Sequence, residues 1–285
     1  MHYLLIVSII WGFSFGIIKH QLVGLGSSYV SFIRLFLSAI VFLPFLRLKD
    51  MKLKTVTQLA LIGAIQFGLM YLCYIESFRY LESYEVALYT VFTPIYVIVF
   101  YGLLKREIHL LYTVSAVLAV IAGLLMNYKL IHLPNSYFGF ILVQLSNLAF
   151  AFGQVNYKLI DLKGVKQHQI FALLYLGGSI VAFIPALFKG EIVLVNMEQF
   201  LALVYLGVVS SALCFFLWSV GSKKTNAGNL SVFNNLKVPI AVLISVLIFK
   251  ERVDMNVLLG ASLIFAMALV LNELPFFKSW FKKRK

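Results

Sequence analysis

Lys237 stands in the stretch NNLKVPIAVLISVLIF, residues 234 to 249, an apolar run that carries one ammonium group and two amides. An ionisable group at bilayer depth costs about 2.5–3.5 kcal/mol on insertion scales, so it is expected to face a cavity or a partner. Asn234 lies three residues earlier, on the same helical face. Pro239 removes a backbone donor close by, which predicts local unwinding beside the lysine. The chemistry on offer is recognition of an anion. Lys237 is expected to bind the carboxylate of a substrate, with Asn234 or Asn235 hydrogen-bonding alongside. The competing reading is a structural lysine that snorkels or donates to helix carbonyls.

A second polar row lies in the span near 136–157. Gln144, Asn147, Ala151 and Gln154 recur at intervals of three and four and so share a stripe. The stripe either lines a cavity or bonds to a neighbouring helix. Interhelical bonds in membranes average only about 0.6 kcal/mol, so the cavity is favoured, for Asn147 above the others. Gln66, Met70 and Tyr74 share one face, with Tyr71 adjacent, and Ser211, Cys214 and Trp218 share another. Tyr74 and Trp218, joined by Trp11, are expected to sandwich an apolar substrate body; for each ring alone, ordinary packing is the alternative. Arg34 is expected in the outer third of its helix, near Glu76, Glu82 and Glu85. An Arg34–Glu pair, acting as a static clamp or as a gate, is the simplest reading.

These residues show no catalytic constellation. There is no HExxH motif, no pair of midplane aspartates and no Ser-His arrangement, and the five histidines, His2, His20, His109, His132 and His168, fall near span ends. Cys73 and Cys214 lack metal-ligand spacing and read as small buried hydrophobes, so neither a metal nor a cofactor is expected. No carboxylate falls mid-span, which argues against proton coupling through a midplane Asp or Glu. A pore would favour rings of repeated polar residues, whereas the polar groups here differ between the two halves.

The elements that must position these residues are membrane helices. Of 285 residues, 62% are apolar and 12% charged, against roughly half and a quarter in soluble domains. The net charge of +13 would suit a nucleic-acid binder, but the basic residues sit in short breaks between apolar runs, where they act as topology signals. Nucleic acid is therefore excluded as a partner; a small-molecule substrate and membrane lipids are expected, and the oligomeric state is undetermined. At about 20 residues per span, ten spans are predicted, near 3–19, 28–46, 56–77, 84–103, 109–127, 136–157, 168–188, 199–220, 227–249 and 254–272. The first, with no basic leader or cleavage site before it, is read as a retained helix and not a signal peptide. Sixteen Lys and Arg fall in loops 2–3, 4–5, 6–7 and 8–9 and the tail, against six on the opposite side. The richer side is expected to be cytoplasmic, with both termini inside.

The halves resemble each other. FSFG at 13–16 answers FAFG at 150–153, FLPFL at 42–46 answers FIPAL at 183–187, and 61–78 aligns with 205–222. FTPIYVIVFYGLLKRE at 92–107 aligns with LKVPIAVLISVLIFKE at 236–251. Five spans per half is an odd number, so the second half enters the membrane from the other side, as in inverted-repeat transporters. The predicted fold class is an all-α membrane protein of ten transmembrane helices in a 5+5 inverted repeat. Residues 1–130 form the first repeat, 131–273 the second and 274–285 a basic cytoplasmic tail.

TPIYVIVFYGLLKRE followed by AVLAVIAGLL, and KVPIAVLISVLIFKE followed by LLGASLIFAMALVL, resemble the EamA branch of the drug/metabolite transporter superfamily. The resemblance covers essentially the whole chain and implies a ten-helix carrier working by alternating access. FLPFLR, LKTV, TPIY, LVQLSN and NNLKVP are similar to its carboxylate/amino acid/amine group, and within it look closest to bacterial biotin transporters. In that pattern a histidine occupies the position of Lys237, between the same NN and VP. The resemblance implies an inner-membrane secondary transporter, taking up biotin or a similar carboxylate. The alternative is an exporter of amino acids, amines or metabolites from the same family.

Overall fold

Apolar helix after apolar helix, joined by short connections, leaves the backbone one way to satisfy its polar groups in lipid, namely within each helix. The computed structural model describes residues 2–49, 51–106, 134–162, 164–224 and 227–250, with 113, 114, 117 and 121 as single positions. Among these there are helices and no strand. The helices are α1 (His2–Gln21), α2 (Ser27–Phe42), α3 (Leu53–Gly63), α4 (Met70–Ser77), α5 (Ser83–Tyr89), α6 (Thr93–Lys105), α7 (Pro134–Leu159), α8 (Phe171–Phe188), α9 (Met197–Val204), α10 (Cys214–Lys223) and α11 (Ala227–Leu247).

Several join without a break. A π-helical segment, Ala64–Leu69, fuses α3 to α4, and a second, Tyr205–Leu213, fuses α9 to α10. A 3₁₀ turn, Thr90–Phe92, fuses α5 to α6, with Pro94 in the first turn of α6, where its missing N–H costs nothing. Among the described residues, seven helical stretches are long and apolar enough to cross a membrane: Tyr3–Gln21, Ser27–Phe45, Leu53–Ser77, Ser83–Lys105, Tyr137–Leu159, Phe171–Phe188 and Met197–Lys223. A shorter apolar stretch, Phe233–Leu247, lies in α11. The chain is a multi-pass membrane protein. The span expected at 109–127 lies outside the described residues apart from four single positions, and the span at 254–272 and the tail at 274–285 lie wholly outside them.

Polarity is distributed as lipid requires. Leu5, Ile6, Ile9 and Phe13 leave α1 on its outward face, while Ser8 and Ser14 point into the bundle. On a water-soluble surface such a band would be a large exposed apolar patch; here it faces acyl chains. Because lipid is as apolar as leucine, the helices are held by close packing and not by hydrophobic expulsion. α2 packs along α8, and α1 along α11. Small residues set the separation: a Cβ on Gly63 would run into the Leu174 carbonyl, and one on Gly177 into the Ala60 carbonyl.

The two ends of the bundle are distinct. Arg47 N–H donates to the Gln169 carbonyl, Phe45 meets His168, and Lys223 reaches the Ile160 carbonyl at one end. At the other, Glu191 accepts from Ser28 and Tyr29 N–H, Gln199 donates to the Val23 carbonyl, and Lys19 donates to the Phe78 and Leu81 carbonyls. By these contacts α2 and α8, and likewise α1 and α7, run in opposite directions.

The unwinding expected at Pro239 is corrected: α11 is continuous from Ala227 to Leu247 with Pro239 inside it. One missing donor does not break a helix pressed against α1 and α5. The packing is close beside the proline, where a Cβ on Gly12 would sit 2.5 Å from Ile240 Cγ2.

Candidate functional site

A cavity lies inside the bundle, walled by residues from α1, α2, α4, α6, α7, α10 and α11, from the 3₁₀ turn after α5 and from the π-helical segment after α9. The cavity volume open to a water-sized molecule is about 60 Å³, below the roughly 300–1,000 Å³ of small-molecule sites. Its apolar walls are Trp11, Phe15, Met70, Tyr71, Tyr74, Phe150 and Phe215. Its polar groups are Ser14, Arg34, Thr90, Thr93, Ser146, Asn147, Ser210 and Lys237. Among the described residues two cations and no carboxylate face it.

Lys237 is 8% exposed, and its Nζ donates to Asn234 Oδ1 at 3.3 Å, three residues back on the same face. The ammonium lies 5.4 Å from the Trp11 ring centroid and 6.0 Å from that of Phe150, within reach of both π faces. Trp11 is itself held, its Nε1 donating to the Ser210 carbonyl at 2.9 Å. Ser14 and Ser210 hydroxyls meet at 2.7 Å. The Lys237 end of the cavity is thus a cation in an aromatic and hydroxyl frame.

Arg34 occupies another wall. It is 2% exposed, deep in the bundle. Its Nη2 donates to Tyr71 Oη at 2.8 Å and to Ser211 Oγ at 3.2 Å, its Nε donates to Ser211 Oγ at 3.3 Å, and its guanidinium lies 4.3 Å from the Tyr71 ring centroid. The expected Arg34–Glu pair is therefore corrected. Glu76 bonds Arg79 at 3.0 Å, Glu85 accepts from Glu82 N–H at 2.7 Å in a capping box, and Glu82 pairs with Lys19 at 3.4 Å. The acids stay at the bundle end, Glu76 on Arg79, Glu82 on Lys19 and Glu85 on a helix N-terminus; Arg34 lies further in and is served by hydroxyls and a ring.

The polar stripe of α7 splits. Asn147 lines the cavity while donating to the Tyr89 carbonyl at 2.9 Å. Gln144 accepts from Tyr96 Oη at 3.1 Å and sits behind it, and Gln154 accepts from Trp218 Nε1 at 3.3 Å, away from the cavity. Gln66 is buried against Gly153, outside the lining. Asn235 donates to the Val91 carbonyl at 3.3 Å, tying α11 to the turn before α6. The expected Tyr74–Trp218 sandwich does not form. Trp218 is 1% exposed and packs behind Trp11, ring centroids 5.1 Å apart, whereas Tyr74 lies on the wall beside Phe15 at 5.8 Å. The facing aromatics are instead Trp11, Phe15, Phe150 and Phe215. Ser14, Thr90, Thr93 and Ser210 also escape sequence reading, since serine and threonine bond their own helix backbone almost anywhere.

Phe15 and Tyr74 also form a lid of rings with Phe78, at 6.4 Å and 5.1 Å. Beyond it, Ile18, Lys19, Ile75, Phe78 and Glu191 line a recess at the Glu-bearing end. An aromatic layer thus separates the central cavity from that end. No group of three or more metal-ligating side chains occurs among the described residues.

The chain matches the EamA-like transporter family over residues 1–129 and 137–272. It is 36% identical over 289 residues to a protein of Salmonella typhimurium described as "Biotin transporter", covering 100% of this chain and 95% of that one. It is 38% identical over 257 residues to a "Biotin transporter" of Escherichia coli K12, covering 88% and 86%. A "Probable biotin transporter" of Pseudomonas aeruginosa is 36% identical over 282 residues, covering 96% and 98%. A solved structure described as "Crystal structure of protein" shares the fold at a TM-score of 0.76 and 12% identity, covering 95% of both chains.

Proposed function

The chain belongs to the EamA-like transporter family and is a transporter, not an enzyme, and on that premise we propose that it imports biotin or a closely similar monocarboxylate across the bacterial inner membrane. The observation that carries this reading is the cavity itself: one lysine framed by rings and hydroxyls, in a bundle interior with apolar walls. A carboxylate tail meets Lys237, with Asn234 steering the ammonium, and an apolar ring system lies against Trp11, Phe15, Tyr74 and Phe150. The relatives described as biotin transporters support that substrate.

Transport follows an alternating-access cycle of two five-helix repeats, 1–130 and 131–273, threaded in opposite senses. Two features support this. α1 and α2 run opposite to α7 and α8, and the sequence-matched stretches 61–78 and 205–222 both carry a π-helical segment. π turns spare backbone bonds for rearrangement, and they sit where the halves meet. The basic-rich end, with Arg47, Lys158 and Lys223, is the cytoplasmic one, and both termini lie there. The Phe15–Tyr74–Phe78 layer and the Lys19–Glu82 pair close the external side.

The test is growth of a biotin auxotroph that lacks its own uptake system. Expression of this chain rescues growth at nanomolar biotin, and loaded vesicles show saturable counterflow of labelled biotin. Absence of rescue with the protein present in the membrane rejects biotin and points to efflux of amino acids, amines or metabolites; linear, unsaturable flux rejects a carrier.

A further inference from the structure

Arg34 has more donors than the protein uses. Nε and Nη2 are taken by Ser211 and Tyr71, but Nη1 is buried and has no hydrogen-bond partner among the described residues. A buried guanidinium donor left bare is costly, and Arg34 lines the cavity. We propose that Arg34 is a substrate-binding residue whose free Nη1 donates to a neutral carbonyl oxygen at the end of the substrate remote from its carboxylate, so that the site selects monocarboxylates bearing a urea or amide group.

The choice of acceptor follows from which donors remain. Arginine grips a carboxylate through a fork of two nitrogens. Both possible forks here need Nη2, whose two hydrogens are already given to Tyr71 and Ser211. A single nitrogen with two hydrogens suits one oxygen, which a carbonyl supplies. The charge needs no anion either, since the Tyr71 face lies 4.3 Å from it and two hydroxyls solvate it. Lys237, with three donors and, among the described residues, only Asn234 bonded, takes the substrate's own charge. Arg34 is not a clamp between helices alone: Tyr71 and Ser211 hold each other directly at 2.8 Å without it.

This inference rests on the biotin reading, because biotin carries a ureido carbonyl opposite its carboxylate. The test measures competition with labelled biotin by desthiobiotin, which keeps both groups, and by 2-iminobiotin, in which a protonated nitrogen replaces the ureido oxygen. Wild-type protein prefers desthiobiotin over 2-iminobiotin by about ten- to a hundredfold. Arg34→Met and Arg34→Lys, each checked for monodispersity in detergent, shrink that ratio to a few-fold. Wild-type protein that accepts 2-iminobiotin as readily as desthiobiotin overturns the assignment without any variant. A ratio unchanged in both variants, with biotin affinity lowered uniformly, overturns it and returns Arg34 to a structural role. Wild-type protein with no saturable biotin binding overturns the biotin reading itself, and the inference with it.

Discussion

Lys237 and Arg34 illustrate two ways of keeping a cation inside a bilayer. Among the described residues Lys237 has one amide partner and two ring faces, which leaves most of its hydrogen-bonding capacity unspent there. A group buried at such cost and left under-bonded is suited to a ligand that comes and goes. Lys237→Ala therefore raises the half-saturation concentration for biotin by about ten- to a hundredfold, the worth of a hydrogen bond to a charged group. Lys237→His, which installs the residue of the resembling pattern, retains more uptake than Lys237→Ala. Uptake kinetics in whole cells check both, and an unaltered half-saturation value for Lys237→Ala removes Lys237 from the site. The sequence exposed Lys237 because a charge in an apolar run is conspicuous. It did not expose Ser14 or Ser210, whose hydroxyls are common in any helix and acquire meaning only by meeting across 196 positions.

At the scale of the element, the span Leu53–Ser77 depends on close approach to α8. Gly63 lies against the Leu174 carbonyl and Gly177 against the Ala60 carbonyl, so two backbones touch where side chains would separate them. Gly63→Ala forces the helices apart or bends one of them, and overpacking of this kind costs about 1–3 kcal/mol. Thermal unfolding of the purified protein in detergent should shift to lower temperature, and more for Gly63→Ala than for Gly24→Ala. Gly24 has open space around it, although its positive φ of 84° adds some strain. The helices themselves were legible in the apolar runs, and eight of the predicted spans coincide with described helices to within a few residues. The π-helical segments were not. A π turn shifts the face of everything after it. Separately from that, Tyr74 lies on the cavity wall while its sequence counterpart Trp218 lies behind Trp11.

At the scale of the whole molecule, two ends with different chemistry bound the bundle. Arg79 pairs with Glu76 at one end, and Lys224 lies at the other, by the end of α10. After Cys73 and Cys214 are replaced by Ser, Arg79→Cys should react with an impermeant maleimide added outside intact cells, and Lys224→Cys only after permeabilisation. Labelling of both from the same side would contradict the opposed threading of the halves. From sequence alone came the membrane class, the spans, the richer basic side and the buried lysine, because hydropathy and charge act through lipid and water on each segment separately. Which amide faces the cavity, which ring stands in front, and what Arg34 bonds were decided only by the tertiary structure. Those outcomes depend on the rotation and separation of helices far apart in the chain, and small residues, π turns and hydroxyl pairs set them through contacts that no single segment contains.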